Sequence, residues 1–409
     1  WAFLLPHASI YGGPLRDEHL DDAALFTTSS AGAPYRYALH PPGSKVANTH
    51  MTGPTQRGKT GMMGFQSMQF LRYALAQVFI FDVDYQLYCP TMLAGGSHYD
   101  LGTSGMAGFH VLGRIDESED ERRWAQTWIE GVLQEQGMPA TPDDSLEIWA
   151  ALGRVAQLPS HLRTLSAFVE CFQIRRLKSA LRPFLIGQAY PYLDASRDSF
   201  TFDTWTCFEM RQILKQPAAL PHVLRYIFHR MDARFDGRPT FICLDEIATI
   251  AQSQLMQEEI KDFEKTKAKK NVALLLNWQE LVDGSALAIW QAIVASSENE
   301  LYLPNDKILK AEVRPHYKAM GLTEGECEAI AMGTRFCDYY HKTSHGSRMF
   351  QLRLSPLERL LCAASSQDEI AVMRVLVAQP RTRSLCAEWL DHWGFRDEAA
   401  IFEEYYAQR

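Results

Sequence analysis

The chain has 409 residues, a net charge of −8 and eight cysteines, with 46% hydrophobic and 22% charged residues. That balance is ordinary for a globular protein of two domains, or of one large domain with an insertion. The acidic excess argues against a surface coated for nucleic acid while leaving room for a local basic channel, and without a run of about 18 apolar residues no transmembrane helix is expected.

Residues 1–45 are rich in Pro, Gly and Ser and lack clear periodicity, so they read as a loop-rich lead-in with one strand at "YRYALH". The chain opens on Trp1, with no basic-then-apolar leader. We therefore expect a fragment whose missing N-terminal part carries membrane contacts. "VANTHMTG" reads as a strand running into a glycine loop. "TGMMGFQSMQFLRYALAQ" has helical spacing, and "VFIFDVD" is a compact apolar strand ending in aspartates. Strand, loop, helix, strand is the opening of a parallel α/β sheet.

From Asp116 to about Gly187 the pattern becomes amphipathic helices: "SEDERRWAQTWIEGVLQEQ", "DSLEIWAALGRVAQL" and "LRTLSAFVECFQI". "MPATPDDS" is a break that supplies a helix cap at Asp144 or Ser145. Strands resume at "FTFDTW", "PTFICLDEI", "VALLLNWQ" and "NELYLPN", with the helix "AALPHVLRYIFHRMDA" between the first two. "RFCDYYHKT" and "SRMFQLRLS" around "SHG" predict a hairpin, and the tail from Pro356 is helical. The expected division is a lead-in 1–45, a core 46–115 with 188–355, an all-helical insertion 116–187, and C-terminal helices 356–409. Cysteines 89, 171, 207, 243, 327, 337, 362 and 386 form no C-x-x-C pair, which suggests reduced thiols in a cytosolic compartment.

"GPTQRGKT" has the spacing G-x-x-x-x-G-K-T, which by average residue usage arises by chance about once in a hundred chains of this length. Backbone N–H groups over Gly53, Pro54, Thr55, Gln56, Arg57, Gly58, Lys59, Thr60 and Gly61 would wrap phosphate oxygens, helped by the helix N-terminus. Lys59 would reach the β and γ phosphates, and Thr60 would ligate Mg²⁺. "FICLDEI" ends a buried strand in two acids: Asp245 to hold a Mg²⁺-bound water, Glu246 to polarise the attacking water. "VALLLNWQ" ends in Asn277, Trp278 and Gln279, a polar strand end able to sense the γ-phosphate or simply to face solvent. Lys261, Lys265 and Lys269 form one helical stripe flanked by Lys267 and Lys270, among Glu258, Glu259, Asp262 and Glu264. That stripe reads as a solvated, ion-paired face, with a phosphate or nucleic-acid contact as its alternative. His341 and His345 fall in the predicted hairpin with no acid placed to complete a metal site. There is no G-x-S-x-G or H-E-x-x-H motif.

In order and spacing, "GPTQRGKT", "FIFDVDYQ", "AGGSHYDLG" with "GFHVLG", "GQAYPYLDASRD", "FEM", "FICLDEI", "KKNVALLLNWQ", "ENELYLPN" and "GLTEGECEAI" resemble the CagE/TrbE/VirB family of type IV secretion and conjugal transfer ATPases, from about residue 45 to 355. The resemblance implies an α/β fold, a RecA-like P-loop NTPase with a mostly parallel central sheet and an all-helical insertion. It implies ATP and Mg²⁺ as cofactors and an oligomer of itself, a hexamer, at the cytoplasmic face of the bacterial inner membrane beside membrane subunits of the secretion complex. Lys59, Thr60, Asp245 and Glu246 match the family's phosphate, metal and catalytic positions, and Gln279 its γ-phosphate reader. Two departures stand out. Gln56-Arg57 replaces the usual Gly-Ser, and Ala268 stands where relatives carry an arginine. An inserted arginine contributes about 10³ or more in rate. Lys267 or Lys269 replaces it, or Arg314, Arg335 or Arg348 does, or turnover is slow. The expected function is ATP hydrolysis powering a type IV secretion apparatus. The alternatives are a DNA-translocating coupling-type ATPase and an ATP-binding assembly scaffold with little turnover.

Overall fold

The structure, a computed structural model, describes residues 11–103, 108–267, 270–279, 293, 296–381 and 383–407. Eleven strands among them form one sheet. In chain order these are β1 (Phe26–Ser30), β2 (Ala33–Tyr37), β3 (Thr49–Thr52), β4 (Gln77–Asp82), β5 (Ser97–Asp100) and β6 (Trp205–Glu209). β7 (Thr240–Leu244), β8 (Val272–Trp278), β9 (Asn299–Tyr302), β10 (Asp338–Thr343) and β11 (Gly346–Gln351) follow. Their spatial order is β2-β1-β11-β10-β9-β3-β8-β7-β4-β6-β5. From β9 to β5 every pairing is parallel; from β9 back to β2 every pairing is antiparallel.

The helices that matter first are α1 (Lys59–Phe70) and α2 (Tyr88–Leu93), then a block between β5 and β6: α3 (Glu119–Glu135), α4 (Pro142–Val155), α5 (Leu165–Glu170) and α6 (Arg175–Leu181). α7 (Leu220–Asp232) links β6 to β7; α8 (Ile247–Ile250) and α9 (Gln254–Lys267) link β7 to β8. α10 (Arg314–Ala319) and α11 (Glu324–Met332) precede β10. The chain closes with α12 (Pro356–Cys362), α13 (Gln367–Ala378), α14 (Leu385–His392) and α15 (Arg396–Ala407).

β4, β7 and β8 are buried along their whole length, which is why they read as continuous apolar runs. Their side chains alternate between two cores. Phe79, Phe81 and Ile242 join Trp128, Ile129, Leu152 and Phe168, so the helical block shares a core with one face of the sheet. Val78, Ile80 and Cys243 join Met62, Met63 and Phe65 of α1 on the other face. Each large side chain so buried contributes about 1.5–3 kcal/mol. A third cluster seats Ile370, Met373, Trp389 and Leu390 against Cys89 of α2. Among the described residues no helix is long and apolar enough to cross a membrane.

Several local expectations need correction. Within 1–45, β1 and β2 form a hairpin that extends the main sheet through Ser29 and Gln351. Its threonines and serines hide the period, but Phe26, Tyr35 and Tyr37 supply the buried face. The strand expected at "FTFDTW" begins only at Trp205, and Ser97–Asp100 pairs beside it as the edge strand β5. The helix expected from Thr60 to Gln77 stops at Phe70, because the chain must turn before β4. "LRTLSAFVECFQI" holds only the short α5, capped at Thr164, and a separate α6 follows. The cap of α4 is Thr141, in a reciprocal box with Asp144 and with Pro142 in the first turn.

Candidate active site

β3 is flanked by β9 and β8, and β8 by β7, so four strand ends open on one edge of the sheet. Thr52 pairs with Trp278, Leu276 with Leu244, and Leu244 with Phe81. That register puts the glycine loop, Gln279, Asp245 and Asp82 in one row. The loop needs its glycines. A Cβ on Gly53 would lie 2.5 Å from Leu303 Cβ, and Gly58 sits at φ +110° with Tyr339 Oη 2.5 Å from where its Cβ would be. Tyr339 Oη donates to the Gly58 carbonyl at 2.9 Å, and the Phe336 N–H donates to the Arg57 carbonyl at 3.1 Å. Both contacts tie β10 and the turn before it to the loop.

A cavity of about 570 Å³ opens over this edge. Thr55, Gln56, Gly58, Lys59, Thr60 and Gly61 line it, together with Asp245, Glu246 and Gln279. Gly53, Pro54 and Arg57 do not. The Arg57 guanidinium is instead paired with Asp306 at 2.6 Å. Burial pulls the Lys59 amine below its ordinary pKa, against the opposing fields of Asp245 and Glu246. Burial pushes the Asp245 carboxyl up, with Lys59 and the donated N–H of Asn277 holding it down. Asn277 is thus a buried prop for Asp245, while Gln279 faces the cavity. Glu246 occupies the left-handed region, φ +53°, at the sharp turn between β7 and α8. Such a backbone costs about 1–3 kcal/mol in a non-glycine residue and gathers at functional sites.

Sequence reasoning missed Gln86. The Thr60 hydroxyl donates to Gln86 Oε1, which leaves the hydroxyl lone pairs facing outward for a cation. Gln86 ends a strained turn in which Asp84 and Tyr85, neither a glycine, have φ of +68° and +58°. The Glu209 carboxylate accepts both their N–H groups, at 3.1 and 2.6 Å, and that of Arg211 at 2.8 Å. Asp82 accepts from the Leu87 N–H at 2.9 Å, and burial with the nearby Glu209 charge raises its pKa well above 3.8. "FIFDVDYQ" and "FEM" carried these residues, but only folding pairs Asp82 with Glu209. The second set missed is the apolar wall: Phe336, Tyr339, Leu352, Leu354 and Ala363, with Arg359 and Ser365 at its rim.

Other candidates lie elsewhere. His341 is a buried bridge between Tyr35 and Asn299, at 2.5 and 3.0 Å, and not a metal ligand in this arrangement. Arg348 is tied to Ser30 and the Tyr11 carbonyl, and Arg314 to Glu324. Ala268 and Lys269 lie outside the described residues. Lys270 pairs with Asp232 at 2.8 Å, and Glu259 with Arg225 at 3.4 Å. All eight cysteines are unbridged.

A parallel sheet with a glycine loop feeding a helix, and a buried acidic strand end one strand away, defines a RecA-like P-loop NTPase fold. Solved structures agree on the fold. VirB4 of Thermoanaerobacter pseudethanolicus superposes with a TM-score of 0.63 at 15% identity, over 82% of this chain and 98% of that one. The bacterial conjugative coupling protein TrwB, in complex with sulphate, gives 0.51 at 12% identity, over 88% and 95%. No protein-family profile matches. Among curated relatives, a probable conjugal transfer protein TrbE of Sinorhizobium fredii is 30% identical over 98% of this chain and 61% of its own length. Conjugal transfer protein TrbE of Rhizobium radiobacter is 28% identical over 92% and 46%, and type IV secretion system protein virB4 of Bartonella henselae 24% over 91% and 47%. The chain belongs to this TrbE/VirB4 family, and it spans about half the length of the curated relatives it matches.

Proposed function

We propose that this chain is the ATP-hydrolysing part of a type IV secretion or conjugal transfer motor. The observation that carries the reading is the meeting of the glycine loop, Lys59, Thr60, Asp245, Glu246 and Gln279 on one cavity. The cavity fits a nucleoside triphosphate with Mg²⁺ on two counts. Gly58 keeps the loop backbone open, and the Asp245 carboxylate is buried at a cost that a cation would offset. Thr60 and Asp245 would hold Mg²⁺, which supplies charge neutralisation of the phosphates when bound. Lys59 draws the β and γ phosphates into the loop. Glu246 orients a water in line with the γ-phosphate and takes its proton, and Gln279 reads whether that phosphate is present.

We take 46–115 with 188–355 as the motor core, 116–187 as a helical insertion and 356–409 as appended helices. The family supports an oligomer, a hexamer, at the inner membrane of a bacterium, working with membrane subunits of the secretion complex. The test is steady-state hydrolysis of ATP with Mg²⁺ at rising protein concentration, beside Lys59→Ala and Glu246→Gln. Turnover that climbs with concentration and is lost in both variants supports an oligomeric ATPase. Tight ATP binding by the parent without turnover sinks the hydrolase reading. Turnover stimulated by added DNA would instead assign a DNA-translocating motor.

A further inference from the structure

The cavity has two chemically different ends. One carries Lys59, Thr60, Gln86, Asp245, Glu246 and Gln279; the other is built by residues 336–365. The apolar end begins beside the loop itself. Phe336 Cα lies 3.2 Å from where a Gly58 Cβ would sit, and Leu354 Cδ1 lies 3.6 Å from a Gly61 Cβ. A triphosphate held on the loop therefore has this end within reach of whatever it is attached to.

Phe336 is the unusual residue there. It is 62% exposed although it lines a cavity, and its backbone has φ +59°. A bulky residue in that region is a genuine outlier and persists only where its surroundings impose it. They do so here. Its N–H is bonded to the Arg57 carbonyl, and the turn is closed by the Asp338 N–H to the Thr334 carbonyl at 2.9 Å and the Thr334 N–H to the Asp338 carboxylate at 2.7 Å. An exposed aromatic residue held against strain at the mouth of a cavity has the makings of a stacking platform. At the same end Arg359 offers a planar guanidinium, steadied by Glu369 at 2.7 Å. Glu369 is itself fixed, accepting from the N–H groups of Ser365 and Ser366 at 2.9 Å each.

We propose that Phe336 and Arg359 form a base subsite that takes the heteroaromatic base of a nucleoside triphosphate by stacking. This rests on the nucleotide reading above and adds the residues that distinguish a nucleotide from a bare polyphosphate. Stacking surfaces accept any base with a π-face, so adenine and guanine bind alike.

Calorimetric titration of the chain with Mg-ATP, Mg-GTP and inorganic tripolyphosphate, repeated on Phe336→Ala, Phe336→Tyr and Arg359→Met, tests it. Phe336→Ala should weaken both nucleotides about tenfold and leave tripolyphosphate unchanged. Phe336→Tyr should restore the parent affinities, and Arg359→Met should weaken the nucleotides alone. Equal loss for tripolyphosphate, or no loss in either Phe336→Ala or Arg359→Met, overturns the subsite while leaving a nucleotide site in place. A parent that binds none of the three overturns the nucleotide reading and the subsite with it.

Discussion

The two walls of the cavity are built in opposite ways. The polar wall collects single residues from strand ends scattered between Thr52 and Gln279, and parallel register brings them together. The apolar wall is one continuous stretch, 336–365, in which antiparallel strands and α12 fold back over the loop. The first wall contributes charge and is buried at a cost; the second contributes contact area and strain. Charge-bearing walls should therefore govern rate and metal use, and contact walls affinity and stability.

The largest expected break in that division is at Glu246. Glu246→Gln should cut turnover by about 10²–10⁴ while ATP binding survives, measured by single-turnover hydrolysis beside equilibrium binding. Comparable loss of binding would move Glu246 out of the chemical step. Glu209→Gln comes next. Weakening the carboxylate that holds the Asp84–Tyr85 turn should raise the Mg²⁺ needed for half-maximal turnover about tenfold through Gln86 and Thr60. An unmoved Mg²⁺ midpoint would disconnect the turn from the metal position.

Tyr339→Phe removes one bond, to the Gly58 carbonyl, worth about 1 kcal/mol, so ATP affinity should fall about fivefold with turnover at saturation unchanged. The smallest effect is on stability. Asp82 has a folded-state pKa raised above 3.8, so the folded chain holds that proton more tightly than the unfolded one. Its contribution is complete below 3.8 and is lost as pH rises through the folded value. Asp82→Asn mimics the protonated form at every pH. Its melting temperature should exceed the parent's by a margin that widens from about pH 5 to about pH 8. A constant margin would place the titrating group elsewhere.

This contrast also explains what could be read in advance. The parallel α/β fold was legible because strands buried on both faces spell continuous apolar runs, as in "VFIFD" and "VALLL". Glycine-loop spacing is likewise local in sequence. The β1–β2 hairpin was not legible, since its threonines and serines dilute the period. Glu209 and Gln86 were hidden because their roles depend on a pairing between β4 and β6 across the whole helical block. Phe336 gave no signal at all: nothing in "GTRFCDYY" announces a left-handed backbone.

One hydrogen-bonded ladder runs from Tyr37 at one margin to Asp100 at the other, and the glycine loop emerges from its interior strand β3. Such a sheet acts as a stiff plate, and the Tyr339 bond to Gly58 is a strut welded between its antiparallel flank and the loop. A load applied at the β1–β2 margin travels through β11 and β10 into the seat of the phosphates, and recoil at that seat returns along the same path.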